Sequence, residues 1–370
     1  PAAFQNSYFE GPDRIVNTSP AACFEYQYRQ QIGHFLYMID RSRREIVVFN
    51  SNRMTVLERI AVPDPTDLAM GPQLDYLAVS NQTADTVSFI DINPNSSNFH
   101  RVVKTTAVGR GPRGISWDPG NEDILVCNEE DSSVSIISAF SLNVRKIIRS
   151  PLNGPFDVAI TQRQLGFGFF RGVYFGWILN RNGDVTIFES GPNGVNGWGY
   201  DDSIGVAPYE FVNPKKIAVD FNNLGGSVFV LHENPIDIVT GQPTGVTGGA
   251  VSRMDIDSAV AAILPLTGLN FFINPNLRDM SLAIRFSIGP DQLTGIPVDL
   301  ALDDMNNVAA TSNLFTQFSV GQPLQINGKS YVRPSGGPII RAKTPSYIML
   351  AIPNSTQGPG VIDLLSWTSG

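Results

Sequence analysis

The sequence predicts an all-β protein, a seven-bladed β-propeller of four-stranded antiparallel blades, and three observations predict it. Seven prolines each open a short apolar stretch: Pro20, Pro65, Pro112, Pro155, Pro214, Pro297 and Pro338, spaced 45, 47, 43, 59, 83 and 41 residues apart. Repeats of roughly 40–50 residues built from short strands mark a propeller. Second, three copies align without a gap: Pro65-Thr-Asp-Leu-Ala-Met70, Pro112-Arg-Gly-Ile-Ser-Trp117 and Pro297-Val-Asp-Leu-Ala-Leu302. Their apolar residues recur with period two, the pattern of a strand buried on one face. Third, an asparagine stands sixteen residues after the proline, as Asn81, Asn128, Asn313 and Asn354.

The elements follow in chain order. Residues 13–16 (Asp-Arg-Ile-Val) read as a strand before the first repeat proline. In the second copy the inner strand is followed by a strand over 76–79, a polar turn at Asn81, a strand over 86–91 and a fourth over 101–108. Asparagine and aspartate suit these turns because they tolerate left-handed backbone angles. The last copy supplies strands over 347–350 and 361–365 and then ends without an outer strand. The N-terminal strand 13–16 is therefore expected to complete the last blade and cover its open edge. All blades share one ring, so residues 1–370 form a single domain.

Pro-x-Asp-φ-Ala-φ (φ apolar) and the later Leu-Ala-Val-Ser-Asn…Thr-Val-Ser-Phe-Ile-Asp resemble the repeats of YVTN-type and NHL-type seven-bladed propellers. The resemblance is good over 64–139, fair over 154–190 and 296–365, and weak over 20–60 and 191–290. It implies an extracytoplasmic protein of bacterial or archaeal type that binds or scaffolds. The motif describes a structural repeat and transfers no catalytic residue.

Charged residues make up 16% of the chain, with a net charge of −8, against about a quarter charged in ordinary soluble proteins. A neutral polar surface of this kind fits a periplasmic, secreted or cell-surface protein. The acidic balance argues against nucleic-acid binding, which needs a basic face. The densest basic cluster, Arg41-Ser-Arg-Arg44, falls in an expected hairpin turn and reads as a solvated loop. No stretch of 18 apolar residues spans a membrane as a helix. The opening Pro-Ala-Ala fits a chain from which a leader has been removed. Asn17, Asn81, Asn95 and Asn354 lie in Asn-x-Ser/Thr sequons, a further hint of export.

Chemistry-bearing motifs are sparse. Cys23 and Cys127 sit two blades apart, so they are expected as buried free thiols rather than a bridge. His34, His100 and His232 have no metal-ligand spacing. No Cys-x-x-Cys-His, Gly-x-Ser-x-Gly, Walker loop, His-Glu-x-x-His or EF-hand loop occurs. No cofactor is expected. The one place with a geometric argument is the axial mouth of the ring, where the second residue after the repeat proline is Asp67, Asp157 or Asp299. Three carboxylates there could hold a hard cation such as calcium; alternatively each accepts bonds from the amides of its own turn, and that second reading is preferred. Arg113 and Lys216 fill or neighbour the same ring and weaken a cation site.

Two insertions break the regular spacing. Residues 162–172 put Phe167, Phe169 and Phe170 in a Gly-rich loop, and exposed aromatics of this sort mark contact surfaces; the competing reading folds the rings back on a neighbouring blade. Residues 257–278 include a short helix over 258–264 and the apolar run Leu269, Phe271, Phe272 and Ile273, expected to dock another subunit or to cap the propeller face. A Gly/Thr/Pro-rich stretch over 239–249 predicts a long loop inside the fifth blade. The chain is thus expected to be a non-catalytic scaffold subunit of a surface layer, an extracellular filament or a periplasmic redox complex, with other protein subunits as partners. A lactonase-type hydrolase with a metal at the axial mouth is the alternative. Carbohydrate binding through Trp117, Trp177, Trp198 and Trp367 lacks a repeated tryptophan position.

Overall fold

In a computed structural model the described residues are 2–4, 35–50, 53–161, 174–191, 201–207, 209–220, 227–256, 282–302, 323–326, 329–332 and 346–367. They form a β-propeller. The first sheet holds β1 (Ala2–Phe4), β2 (Phe35–Asp40), β3 (Glu45–Asn50) and β4 (Thr55–Ala61) in that order. The second holds β5 (Pro65–Met70), β6 (Tyr76–Asn81), β7 (Thr86–Asp91) and β8 (Val102–Ala107). The third repeats this with β9 (Pro112–Trp117), β10 (Asp123–Asn128), β11 (Ser133–Ser138) and β12 (Asn143–Ile148). In the fourth lie β13 (Pro155–Ile160), β14 (Phe175–Asn180), β15 (Val185–Glu189) and β16 (Asp202–Val206). The fifth consists of β17 (Val212–Asp220), β18 (Ser227–Glu233), β19 (Gly249–Ile256) and β20 (Leu282–Ile288). The sixth joins β21 (Asp299–Leu302) to β24 (Ser346–Ser355) and β25 (Gly358–Trp367), with β22 (Pro323–Ile326) and β23 (Lys329–Val332) as a separate hairpin.

The prolines open strands because the first residue of an inner strand needs no ladder donor; β5, β9 and β13 each begin on one. Consecutive inner strands β5, β9, β13, β17 and β21 lie side by side around the axis. The period of two predicts burial on one face, but the blades are buried on both. On β6, Leu77 and Val79 join the apolar layer shared with the first sheet, while Ala78 joins the layer shared with the third. Strands covered on both faces read as continuous apolar runs, as Tyr76-Leu-Ala-Val and Ile124-Leu-Val-Cys127 do. Five such layers lie between the six sheets.

Some expectations shift. Six blade sheets and the separate β22–β23 hairpin stand among the described residues where seven blades are expected. The strand after Pro297 and the strands over 347–350 and 361–365, expected in different blades, share the sixth sheet. The expectation fails locally because a repeat proline marks a strand start and not the sheet that strand joins. Pro20, Pro338 and the strand over 13–16 lie outside the described residues. Instead, Ala2–Phe4 pairs with β2 at the inner place of the first sheet. Arg41 to Arg44 form the exposed turn between β2 and β3, as expected.

The outer strands share a device. In all five four-stranded sheets the pairing of third and fourth strands slips by one residue, leaving Leu57, Val103, Arg145, Ile204 and Arg285 without an opposite number. Such bulges twist an edge away from further pairing. A second contact locks sheet to sheet on the outer side of the first two blades. The His100 Nδ1–H donates to Glu58 (3.1 Å), and Nε2 accepts from the buried Tyr37 hydroxyl (3.0 Å). Burial pulls the His100 pKa down, with Glu58 opposing, so the neutral ring fits this arrangement.

Inner strands approach so closely that one position admits no side chain. A Cβ on Gly114 of β9 would stand 2.5 Å from Asp157 Cα and 2.8 Å from the Phe156 carbonyl of β13. Both are backbone atoms and cannot swing aside. Gly114→Ala is therefore expected to destabilise the domain by about 1–3 kcal/mol, the usual cost of overpacking, read as a lowered denaturation midpoint. An unchanged midpoint would mean that β9 and β13 are not in this contact.

Candidate functional site at the axial mouth

Each inner strand from the second to the fifth sheet carries a register shift next to its opening residues. A bulge re-aims a side chain, and here the re-aimed position is the second after the proline: Asp67, Gly114, Asp157 and Lys216, with Asp299 in the sixth sheet. Carboxylates thus alternate with glycine and lysine around the mouth. Asp67 and Asp157 are buried and Asp299 is half-buried.

The carboxylates bind backbone, partly as expected and partly further afield. Asp67 Oδ1 accepts from its neighbour Leu68 (2.9 Å), and Asp299 Oδ1 likewise from Leu300 (2.9 Å). The other oxygen of Asp67 accepts from the Ile115 amide of the next blade (3.2 Å). Asp157 Oδ2 accepts from Ile217, again one blade on (2.8 Å). In both cases the donor is the third residue after the next proline, so one carboxylate fastens two inner strands.

Lys216 completes the ring. Its Nζ lies 3.2 Å from Asp157 Oδ1. Burial draws the ammonium down, but the charges of Asp157, Asp67 and Asp299 more than reverse this and hold it above its ordinary value. Asp157 is pushed up by its own burial, with Lys216 opposing. The ammonium supplies a positive charge beside these carboxylates, as a bound cation would. Among the described residues no group of three or more His, Cys, Asp or Glu is arranged to hold a metal. The residues present do not fit a catalytic metal at the mouth.

Outside this ring, Glu129 sits between Arg113 (3.1 Å) and Arg181 (2.5 Å), and the Arg181 guanidinium lies 3.9 Å above the Phe156 ring. Burial lifts Glu129, and the two arginines more than offset it, leaving its carboxyl below the usual range. Turn residues of the same end reach the next blade as well. Asp85 accepts from the Gly111 amide (2.8 Å), Ser132 from Gly154 (3.1 Å) and the Gly183 carbonyl from Phe211 (3.0 Å). All three occupy positive φ, at 53°, 49° and 97°.

The repeat asparagines Asn81 and Asn128 are buried hydrogen-bond hubs, and Asn180 at the end of β14 plays the same part. Asn128 donates to Ser133 (3.0 Å) and Ser135 (2.9 Å), and Asn180 donates to Thr186 (2.9 Å). In the fifth sheet His232 takes this role. Its Nδ1–H donates to the Glu233 carbonyl (2.8 Å), and Nε2 accepts from Ser252 (2.7 Å), which accepts in turn from Ser287 (2.8 Å). Neither described histidine is a candidate ligand, and His34 lies outside the described residues. Cys127 is a buried free thiol, its pKa pushed well up by burial, hence unreactive; Cys23 lies outside.

The docking residues Phe167, Phe169, Phe170, Leu269, Phe271, Phe272 and Ile273 lie outside the described residues. The long loop in the fifth sheet is described. Residues 234–248 connect β18 to β19 at the mouth end, closed by an Ile236–Pro243 bridge and by Asp237 Oδ1 accepting from Val239 and Thr240. This firm turn leaves Ile238 and Val239 60% and 89% exposed, with Ile296 and Val298 exposed on the adjoining connection. Trp117 and Trp177 are buried and present no sugar-binding surface.

A family model described as "Lactonase, 7-bladed beta-propeller" matches residues 28–111 and 65–143, about a third of the chain. No protein of curated function matches the sequence. Among solved structures, Kuenenia stuttgartiensis hydrazine synthase is 12% identical with a TM-score of 0.50, covering 90% of this chain and 93% of that one. A mitotic checkpoint complex structure is 10% identical with a TM-score of 0.48, covering 74% and 68%. At these identities the likeness to hydrazine synthase speaks for the propeller fold alone.

Two predictions come from the ring and its buried histidine. Lys216→Met should cost about 3 kcal/mol by stranding the Asp157 carboxylate, and adding Asp157→Asn should restore part of it; equal midpoints for wild type and Lys216→Met would remove the ion pair from the account. Burial lowers the His232 pKa to about 4, against about 6.5 when unfolded. Between these values the unfolded chain carries a proton that the folded one lacks. Stability is therefore full above pH 6.5 and falls on acidification towards pH 4, by at most about 3 kcal/mol. Unfolding of wild type and His232→Gln at pH 7.5 and 4.5 should show the smaller drop in the variant.

Proposed function

We propose that this propeller is a non-catalytic scaffold subunit working outside the cytoplasm, in a surface layer, an extracellular filament or a periplasmic redox complex. The observation that carries the reading is the pair Ile238 and Val239, held at the tip of a hydrogen-bonded loop on the mouth face and left in solvent. A rigid turn that displays two β-branched apolar residues is suited to insertion into a partner. The plugged mouth supports it too, since Lys216 and the interblade bonds already engage the carboxylates a metal would use. On sequence grounds the insertions 162–172 and 257–278 add apolar residues to the same role. The sparse charge favours an extracytoplasmic site.

The test is native mass of the protein isolated from its source, with and without Ile238→Ser and Val239→Ser. Burying each side chain at an interface contributes on the order of 1.5–3 kcal/mol, less the cost of ordering. Isoleucine and valine at a tip make no core contact, so the variant should stay folded and lose its partner. A second arm replaces Phe167, Phe169 and Phe170 by serine. Assemblies that survive both changes would rule these loops out as the partner surface.

The lactonase-type hydrolase remains the second reading, favoured by the family match over 28–143. It requires a metal that the axial residues do not fit. Stoichiometric, tightly held calcium or zinc in purified protein, together with turnover of a simple lactone, would favour it over the scaffold.

A further inference from the structure

We propose that Asn95 and Asn354 are N-glycosylation sites, whereas the sequon at Asn81 is closed by the fold. This inference rests on the extracytoplasmic reading above, because glycan transfer takes place outside the cytoplasm. Four sequons occur: Asn17-Thr-Ser, Asn81-Gln-Thr, Asn95-Ser-Ser and Asn354-Ser-Thr. Asn17 lies outside the described residues. The other three have the same motif and contrasting surroundings, and the surroundings decide between them.

Asn81 is fully buried at the end of β6. Its Nδ2 donates to Ser88 (2.9 Å) and Thr86 (3.3 Å). A sugar on that nitrogen would remove one of its two donor hydrogens and drive a bulky polar group between strands, so a folded molecule carries none there whatever the order of folding and transfer. Asn95 lies in the connection between β7 and β8 and is exposed, as is Ser97 two residues on. The connection is shaped by other groups: the Asn93 side chain accepts from the Asn95 amide (3.0 Å), and Ser96 Oγ donates to Asp91 (2.5 Å). The Asn95 carboxamide itself makes no hydrogen bond among the described residues. Asn354 and Thr356 are likewise exposed, at the tip joining β24 to β25. There the chain is anchored through backbone, Thr356 N to the Thr294 carbonyl at 2.7 Å, and the side chains are left to solvent. Surface sequons with a free carboxamide and a free hydroxyl at the third position are what the transfer requires.

The co-donor is a polyprenyl-pyrophosphate-linked oligosaccharide. The asparagine Nδ2 attacks the anomeric carbon, a C–N bond forms, and the bond from that carbon to the phosphate oxygen breaks. The lipid pyrophosphate departs and the amide loses one proton, with no change of oxidation state. The two sites fall on opposite ends of the ring. Asn354 stands at the end of β24, beside the second-to-third-strand turn on the mouth end, and Asn95 is in a third-to-fourth-strand turn on the far end.

Peptide mapping by mass spectrometry of the protein from its source tests this, alongside fractionation of the cells. Glycan-sized increments are expected on the peptides containing Asn95 and Asn354 and none on the peptide containing Asn81; Asn95→Gln and Asn354→Gln should each remove one. Unmodified Asn95 and Asn354 overturn the proposal wherever the protein is found. Naked protein in an extracytoplasmic fraction leaves the location reading standing, whereas a cytoplasmic fraction overturns that reading as well. A glycan on Asn81 overturns the burial argument.

Discussion

No blade of this protein can hide its apolar surface alone. Each sheet from the second to the fifth sends alternate side chains to both neighbours, so every hydrophobic layer belongs to two blades. Stability is therefore a property of adjacent pairs, as in other repeat architectures. The polar contacts follow the same rule. Asp67, Asp157, Asp85 and Ser132 each bond the backbone of the following blade, which fixes the spacing at the axis while the apolar layers fix it further out.

That constraint explains why carboxylates can crowd the mouth. A buried aspartate must have its oxygens satisfied, and here neighbouring amides and the Lys216 ammonium do so. The same residues that a metal-dependent propeller enzyme would need are engaged in holding the ring together. Beyond this ring, the described mouth face displays the apolar loop residues Ile238, Val239, Ile296 and Val298.

Much of this was legible in the sequence, and the limits are physical. The strand over 86–91 coincides with β7, because Thr86-Val-Ser-Phe-Ile-Asp91 is bounded by turn residues and has β-branched and aromatic content. The axial aspartates were found from their register with the prolines, and their preferred role as backbone acceptors was right for Asp67 and Asp299. The reach of Asp67 and Asp157 into the next blade was not readable, since a local pattern does not say which distant amide faces a side chain. Nor was the sharing of one sheet by β21, β24 and β25, for which 43 residues intervene between first and second strands. The roles of His232 and Glu129 were not readable, since Ser252, which meets His232, and Arg113 and Arg181, which flank Glu129, come from other strands and a distant turn.

The slipped residue on each outer strand, at Leu57, Val103, Arg145, Ile204 and Arg285, bears on how such discs share space. A rim of straight edges would let neighbouring molecules zip together side by side when concentrated. Five kinked edges work against that route, while β25, the outer strand of the sixth sheet among the described residues, carries no such slip. On the strands that carry the slip, contacts between neighbouring molecules would have to run through side chains rather than through a shared backbone ladder.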